Sequence, residues 1–386
     1  MRLLHTADWH LGKQLYGQSL LEDQSHVLEQ LIDLACEQQP DAILLAGDVF
    51  DRAIAPVSAV ELYDEVLCEL VKRVSAPVVI VGGNHDSPER LACSADLLER
   101  SNVFVRTASS NSVCPVRVEV GEQILAICPI PYCEPATARL AFNDKSIHSH
   151  SDVNYKYAAH YLSKCHNDEM RIAVGHAFVA GGQESDSERP LSVGGGGCVA
   201  PEHFSDFDYV ALGHLHAPQT VKQSGIGGCI NYSGSILKYS SSEISHTKSI
   251  SVVTIDRDSV PKIERIALSP RRDLKRISGD LQGLLIAEHS DVNDQDYLIV
   301  ELTDRGPVLN AMQRLRERYP NVLHIERPYL IEQISAFEQR IDAARLDAQS
   351  LFSRFCEYVS DDSPSPEELQ FFEESWKQAS EFERDG

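Results

Sequence analysis

Basic residues are scarce in this chain: 35 Lys and Arg stand against 58 Asp and Glu, a formal net charge of −23 over 386 residues. A protein that grips nucleic acid unaided draws most of its affinity from phosphate neutralisation. The charge balance therefore demands a basic partner or local basic patches for any such role. Part of the excess sits at the end, where residues 341–386 hold twelve acids and four bases, a net −8. Long apolar runs are missing too, and none approaches the roughly 18 residues of a membrane span. The N-terminus, Met1-Arg2-Leu3-Leu4-His5-Thr6-Ala7-Asp8, has no apolar region or cleavage site of a signal peptide. A cytoplasmic protein is expected. Ten cysteines are present, but no two form a Cys-x-x-Cys pair, which argues against zinc fingers and a disulfide framework. The glycine run Gly194–Gly197 lacks the Lys-Ser/Thr of a phosphate-binding P-loop, so no nucleotide role attaches to it.

What is there reads as a layered α/β protein. Apolar content is 42% and charged content 24%, ordinary values for a chain with a sizeable core. The runs Leu3–His5, Ala42–Ala46, Val78–Val81, Ile124–Ile127, Ile172–Val174 and Tyr209–Leu212 have the continuous apolar character of buried strands. Between them, Val27, Leu28, Leu31, Ile32, Leu34 and Ala35 share one helix face. Val60, Leu62, Tyr63, Val66, Leu67 and Leu70 mark a second helix, and Leu91, Ala95, Leu97 and Leu98 a third. This alternation predicts sheets inside and helices outside over residues 1–270. Two consecutive strands follow at Ile250–Ile255 and Lys262–Ile266. Pro270-Arg271-Arg272 reads as a linker to a small α/β cap over 271–330, and residues 331–386 as an acidic helical tail. In that tail Pro366-Glu367-Glu368 opens a helix whose Leu369, Phe372, Trp376 and Ala379 form a stripe.

Five polar clusters stand at the carboxyl ends of predicted strands, where open α/β sheets place their sites. They are Asp8-Trp9-His10, Gly47-Asp48-Val49-Phe50-Asp51, Gly83-Asn84-His85-Asp86, Gly175-His176 and Gly213-His214-Leu215-His216. Residues i and i+2 of a strand share a face, so Asp8/His10 and His214/His216 are each placed to chelate one ion. A lone strand-end histidine is more often a hydrogen-bonded structural residue. Five such ends, rich in Asp, Asn and His and free of Cys, favour a metal centre. Carboxylate, imidazole and amide donors together suit Mn²⁺, Fe²⁺ or Zn²⁺ better than Ca²⁺ or Mg²⁺. The number of donors suits two ions, the arrangement for in-line phosphoryl displacement. Asp48, in the middle of the set, is the natural bridge.

D-x-H, G-D-x-x-D, G-N-H-D, G-H and G-H-x-H in this order resemble the signature of the calcineurin-like metallophosphoesterases. The wording "LLHTADWHLGK", "ILLAGDVFDRA", "VIVGGNHDSPERL" and "DYVALGHLHAPQ" is similar to the SbcD-type exonuclease subunits of bacteria. The resemblance covers most of residues 1–270 and, more loosely, the cap. It implies a β-sandwich flanked by helices. It assigns one ion to Asp8, His10, Asp48 and His216, and the other to Asp48, Asn84, His176 and His214. His85 would stand beside the scissile phosphate rather than bind metal, with Asp86 orienting it. Asp51 stays open between touching substrate, tuning the site and capping its loop. The resemblance also implies Mn²⁺-dependent cleavage of DNA, exonucleolytic on duplex ends and endonucleolytic on single strands and hairpins. It implies an SMC-type coiled-coil ATPase partner, and a homodimer within a heterotetramer, paired through Val57–Val71 and Arg90–Leu98; the tail stripe has two readings, docking on that partner or packing against this chain's own catalytic domain. A phosphatase or cyclic-nucleotide phosphodiesterase on the same scaffold is the alternative within the fold, and a metal-free scaffold the alternative outside enzymes.

Other candidates read as bland. Arg52 in "GDVFDR" has two readings, a phosphate grip or a surface or dimer contact. His148 and His150 lie in a polar stretch and are expected to be solvated, and His5 to be core or to support the site. Lys222, Lys238, Lys248, Arg271, Arg272 and Lys275 are thinly scattered and have two readings, a track for a DNA backbone or, more commonly for such spacing, solvated surface.

Overall fold

The computed structural model describes residues 1–110, 113–188, 197–221, 229–257, 259–286, 292–306, 308–328, 348–360 and 363–382. They form two compact units, Met1–Asp273 and Leu274–Gly386. The expected helical stretch at 330–347, Gly194–Gly196, and Lys222 lie outside the described residues.

The first unit is built on two six-stranded sheets. In chain order the strands are β1 (Arg2–Thr6), β2 (Ala42–Ala46), β3 (Val78–Val81), β4 (Val103–Arg106), β5 (Val116–Val120), β6 (Gln123–Ile130), β7 (Met170–His176), β8 (Tyr209–Gly213), β9 (Gln219–Val221), β10 (Cys229–Tyr232), β11 (Ser249–Thr254) and β12 (Lys262–Ala267). One sheet has the order β12-β11-β1-β2-β3-β4, with β1 to β4 parallel and the β11/β12 hairpin added antiparallel beside β1. The other has the order β9-β10-β8-β7-β6-β5, parallel from β10 to β6 with antiparallel strands at both edges.

Alternation along each strand makes the sandwich. Leu3, Leu44, Ala46, Val79 and Val81 of one sheet share a buried cluster with Leu125, Ile127, Ile172, Val174, Tyr209 and Ala211 of the other. The intervening residues Cys128, Ala173, Val210 and Leu212 face a second cluster. There they meet Val153, Tyr157, Ala158 and Tyr161 of the helix His150–Leu162. That helix starts at a capping box in which Ser149 and Asp152 satisfy each other's backbone N–H groups. The first sheet is flanked by α1 (Leu21–Gln38) and α2 (Val57–Arg73), which bury Val27, Leu28, Leu31 and Ile32, and Leu62, Val66, Leu67 and Leu70. The predicted third helix is instead two short turns, Pro88–Leu91 and Ala95–Leu98, separated at Ser94, whose φ is +62°.

The second unit carries a parallel sheet of β13 (Leu274–Gly279), β14 (Tyr297–Leu302) and β15 (Val322–Glu326). Its core joins Ile277, Leu298, Val300 and Val322 to Leu281 and Leu284 of one helix and Leu315 of another. The tail helices Ala348–Ser360 and Pro366–Phe382 meet through Phe352 and Phe372, stacked at 4.2 Å. The predicted apolar stripe thus packs part of itself on the neighbouring tail helix, while Phe371 is 73% and Trp376 55% exposed. Among the described residues no helix is long and apolar enough to cross a membrane.

Candidate metal centre

The parallel strands β1, β2 and β3 point their carboxyl ends toward the same edge of the sandwich as β7 and β8, and the five clusters converge there. Asp8 and His10 follow β1, Asp48 follows β2, Asn84 and His85 follow β3, His176 ends β7, and His214 and His216 follow β8. Close approach of the two sheets sets glycine at key places. A Cβ on Gly213 would lie 1.9 Å from the Ala46 carbonyl oxygen, and one on Gly83 2.1 Å from Asp48 Oδ1. The donors themselves sit in strained backbone: φ is +53° at Asp8, +44° at His10, +49° at Asp48 and +100° at His214.

Backbone bonds fix that strain. The Asp8 N–H donates to the Gly47 carbonyl at 3.1 Å and the His10 N–H to the Asp48 carbonyl at 2.9 Å. The Asp8 carboxylate accepts from the His214 N–H at 2.9 Å, tying the two sheets together. Asp48 Oδ1 accepts from the His85 N–H at 2.9 Å. Its Oδ2 lies 3.4 Å from His176 Nε2 and 3.6 Å from His10 Nε2, between the two sides of the site. Asn84 Oδ1 is 3.0 Å from His176 Nε2, and His10 Nε2 is 3.2 Å from His216 Nε2.

Donor atoms of Asp8, His10 and His216 fall within 4.8 Å of one another, as do those of Asp8, Asp48 and His176, and those of His10, Asp51 and His85. Burial holds His10 well below the usual imidazole range and His214 down at about 3, so both rings are neutral. His10 Nδ1 and His214 Nε2 are buried without a hydrogen-bond partner. Burial pushes the Asp8 carboxyl up to about 7. Burial works the same way on Asp48, but His176 and His10 beside it keep it well below the carboxylate range. Imidazoles, a buried anion and unpartnered ring nitrogens on His10 and His214 are donor types that divalent cations satisfy.

A family model described as calcineurin-like phosphoesterase matches residues 1–218, and one described as type 5 capsule protein repressor C-terminal domain matches residues 270–360. The D subunit of the nuclease SbcCD from Bacillus subtilis (strain 168) is 35% identical over 382 residues, covering 96% of each chain. The protein of the same name from Staphylococcus epidermidis is 32% identical, covering 94% of each. The chain belongs to the SbcD family of calcineurin-like phosphoesterases. As a member of that family it is a metal-dependent phosphoesterase, and the donor sets at the strand ends are the candidates for its divalent ions.

Several expectations change in detail within this SbcD chain. His214 and His216 have different neighbours. His216 joins Asp8 and His10, while the His214 ring lies 5.4 Å from that of His176. Asp86 does not orient His85. Its carboxylate accepts from the N–H groups of Val49, Phe50 and Gly83 at 2.9–3.1 Å, stapling two loops. Burial, joined by the Asp48 charge, pushes it up to about 6. His85 Nδ1 instead lies 2.8 Å from the Asp51 backbone carbonyl. The Asp51 side chain pairs with Lys13 at 2.8 Å and with Arg52 at 3.4 Å, the latter 71% exposed. His150 is not solvated but buried and stacked on Tyr132 at 5.2 Å. His5 is core, with Nδ1 2.9 Å from the Tyr209 hydroxyl. Lys248 is buried rather than on the surface, and Arg271 and Arg272 pair with Glu22 and Asp23 of α1 rather than forming a free linker. Sequence reasoning missed Lys13, Gln24 and Glu243. Lys13 stood in the quoted "HLGK" string. Gln24, whose amide donates to the Trp9 and His10 carbonyls, carried no signal beyond its place in a helix.

Proposed function

We propose that this chain is the Mn²⁺-dependent DNA-cutting member of a complex with an SMC-type coiled-coil ATPase, a nuclease that cuts duplex ends exonucleolytically and single strands and hairpins endonucleolytically. The observation that carries the reading is the place of Asp48 Oδ2 between His10 and His176, with further donors on both sides. Asp8, His10, Asp48 and His216 would hold one ion, and Asp48, Asn84, His176 and His214 the other. Mixed oxygen and imidazole donors suit Mn²⁺. Two bound ions supply the charge and water activation of in-line phosphodiester cleavage.

The protein's own part is positioning and proton handling. The Asp51 carbonyl accepts a hydrogen bond from the Nδ1–H of His85, which fixes the ring, and Nε2 of the doubly protonated ring would give its proton to the departing oxygen. His85 is only half-buried, as a group that meets substrate must be. Asp86 holds the loops of Asp48 and His85 in register through three backbone N–H groups. Lys13, paired with Asp51, places a positive charge beside this edge.

Relatives named as the SbcD component of SbcCD support an ATPase partner, and the net charge of −23 leaves much of the DNA grip to it. The tail face bearing Phe371 and Trp376 is the proposed contact, tested by deleting residues 361–386, which removes ATPase binding and spares cleavage. Ile54, Val57, Val60 and Leu97 expose 46–74% of their surface around the α2 edge. They support homodimerisation through Val57–Val71 and Arg90–Leu98, two such chains joining two ATPase chains. Light scattering at micromolar concentration reports a dimer mass if this holds. The deciding assay is cleavage of a labelled DNA hairpin with Mn²⁺, lost in His85→Ala and Asp48→Ala. A hairpin left whole even with the ATPase, while bis-p-nitrophenyl phosphate is hydrolysed, overturns the substrate and keeps the phosphoesterase.

A further inference from the structure

The four histidines proposed as metal ligands are not held alike. His176 leans its Nδ1 on a backbone carbonyl, Ala46, at 2.9 Å. His10 Nδ1 and His214 Nε2 have no hydrogen-bond partner. His216 has a carboxylate behind it: Glu243 Oε1 lies 3.0 Å from its Nδ1, and the Ser187 hydroxyl is also 3.0 Å away. Glu243 is fully buried at the end of the helical turn Ser241–Glu243. Its other oxygen meets the ammonium of Lys248, itself buried. That ammonium also donates to the His216 carbonyl and to Ser235 Oγ, both at 2.8 Å. Residue 216 is therefore gripped at both ends, its ring through Glu243 and its carbonyl through Lys248. A second acid joins in, since Glu188 Oε1 accepts the His216 N–H at 2.8 Å.

Burying an ion pair costs desolvation that an apolar pair would not incur. Core packing alone gives no reason for one here. The chemistry of the contact does. A carboxylate only accepts, so it places the proton of His216 on Nδ1 and leaves the Nε2 lone pair facing Asp8 and His10.

We propose that Glu243 and Lys248 form a positioning pair that sets the tautomer and angle of His216, and so governs affinity at one of the two metal positions while leaving the other alone. The inference rests on His216 being a metal ligand, one part of the function proposed above. Neither residue touches substrate.

The test is Mn²⁺ binding to the full chain stripped of metal with chelator, followed by calorimetry. The variant is Glu243→Gln/Lys248→Met, which removes both charges together and leaves no buried ion unpaired. The expected result is a loss of about 10–100-fold at one position, with the other unchanged. Lys248→Arg keeps the charge pair and should hold wild-type affinity. The same double substitution should add nothing further in a His216→Ala background and should weaken the remaining ion in a His176→Ala background. Equal affinities in wild type and double variant, or an equal loss at both positions, overturn the proposal. A wild-type chain that binds no Mn²⁺ overturns the metal centre itself and this inference with it. If the double variant does not fold, the ¹⁵N spectrum of histidine-labelled wild type decides. A proton on Nδ1 of His216 supports the pair, and one on Nε2 sinks it.

Discussion

Both units set parallel strands beside helices, and both place acids just past strand ends, yet the acids do different work. In the second unit Asp280 follows β13 and Asp304 follows β14. Asp280 accepts the Gly283 N–H at 2.9 Å and Asp304 the Leu281 N–H at 2.8 Å, so both are consumed as caps of local backbone. In the first unit Asp8 and Asp48 stand at equivalent places after β1 and β2 but are buried, with φ near +50°, facing imidazoles from the other sheet. A single sheet with helices leaves its strand-end acids to nearby N–H groups. Two sheets packed face to face bring strand ends together from both sides, and only then does a set of donors surround a point. The site is a property of the sandwich, not of the strand.

Breaking that convergence should cost most. Asp48→Ala removes the shared donor, and a loss of about 10³-fold or more in hairpin cleavage is expected, with loss of bound Mn²⁺ by metal analysis. His85→Ala should lower cleavage by about 10²–10⁴-fold while metal content stays at the wild-type level. That split separates proton handling from ion binding. Gly213→Ala attacks the contact between sheets. Its Cβ would meet the Ala46 carbonyl at 1.9 Å, and destabilisation of about 3 kcal/mol or more is expected by denaturant unfolding. The counterpart in the second unit, Gly306→Ala, meets nothing within 4 Å and should stay within about 0.5 kcal/mol. The smallest effect concerns the sandwich edge. Burial pushes the Glu169 carboxyl up, but the Arg117 guanidinium at 2.6 Å outweighs it and holds it below its ordinary value. Its stabilising contribution is present above the unfolded glutamate value of about 4.3 and fades as the pH falls through the lower folded value. Arg117→Met should flatten the acid limb of the melting temperature below about pH 4.5.

Much of this was legible in the order of residues. Continuous apolar runs marked β2, β3 and β8, and four of the five polar clusters open on a glycine. What strand periodicity missed lies beyond the strands. His214 and His216 look like one chelating pair under a two-residue repeat. With a φ of +100° His214 leaves the strand conformation, and its ring neighbours that of His176 while the His216 ring neighbours that of His10. Asp86 stands next to His85 in the chain, yet its carboxylate reaches N–H groups some 36 residues back. Glu243 and Lys248 belong to no motif. Their role appears only when the turn at Ser241–Glu243 folds under His216, 27 residues away.

The His214-to-Asp8 bond spans 206 residues of chain, and β1 lies between β2 and a strand that begins at Ser249. During synthesis the first cluster therefore emerges long before the histidines that complete it, and its own strand waits for a neighbour made near the end of the unit. Through most of that time a chain on the ribosome carries half a site. On the ligand assignment proposed above, metal capture, and with it the power to cut, is deferred until nearly the whole first unit has been made.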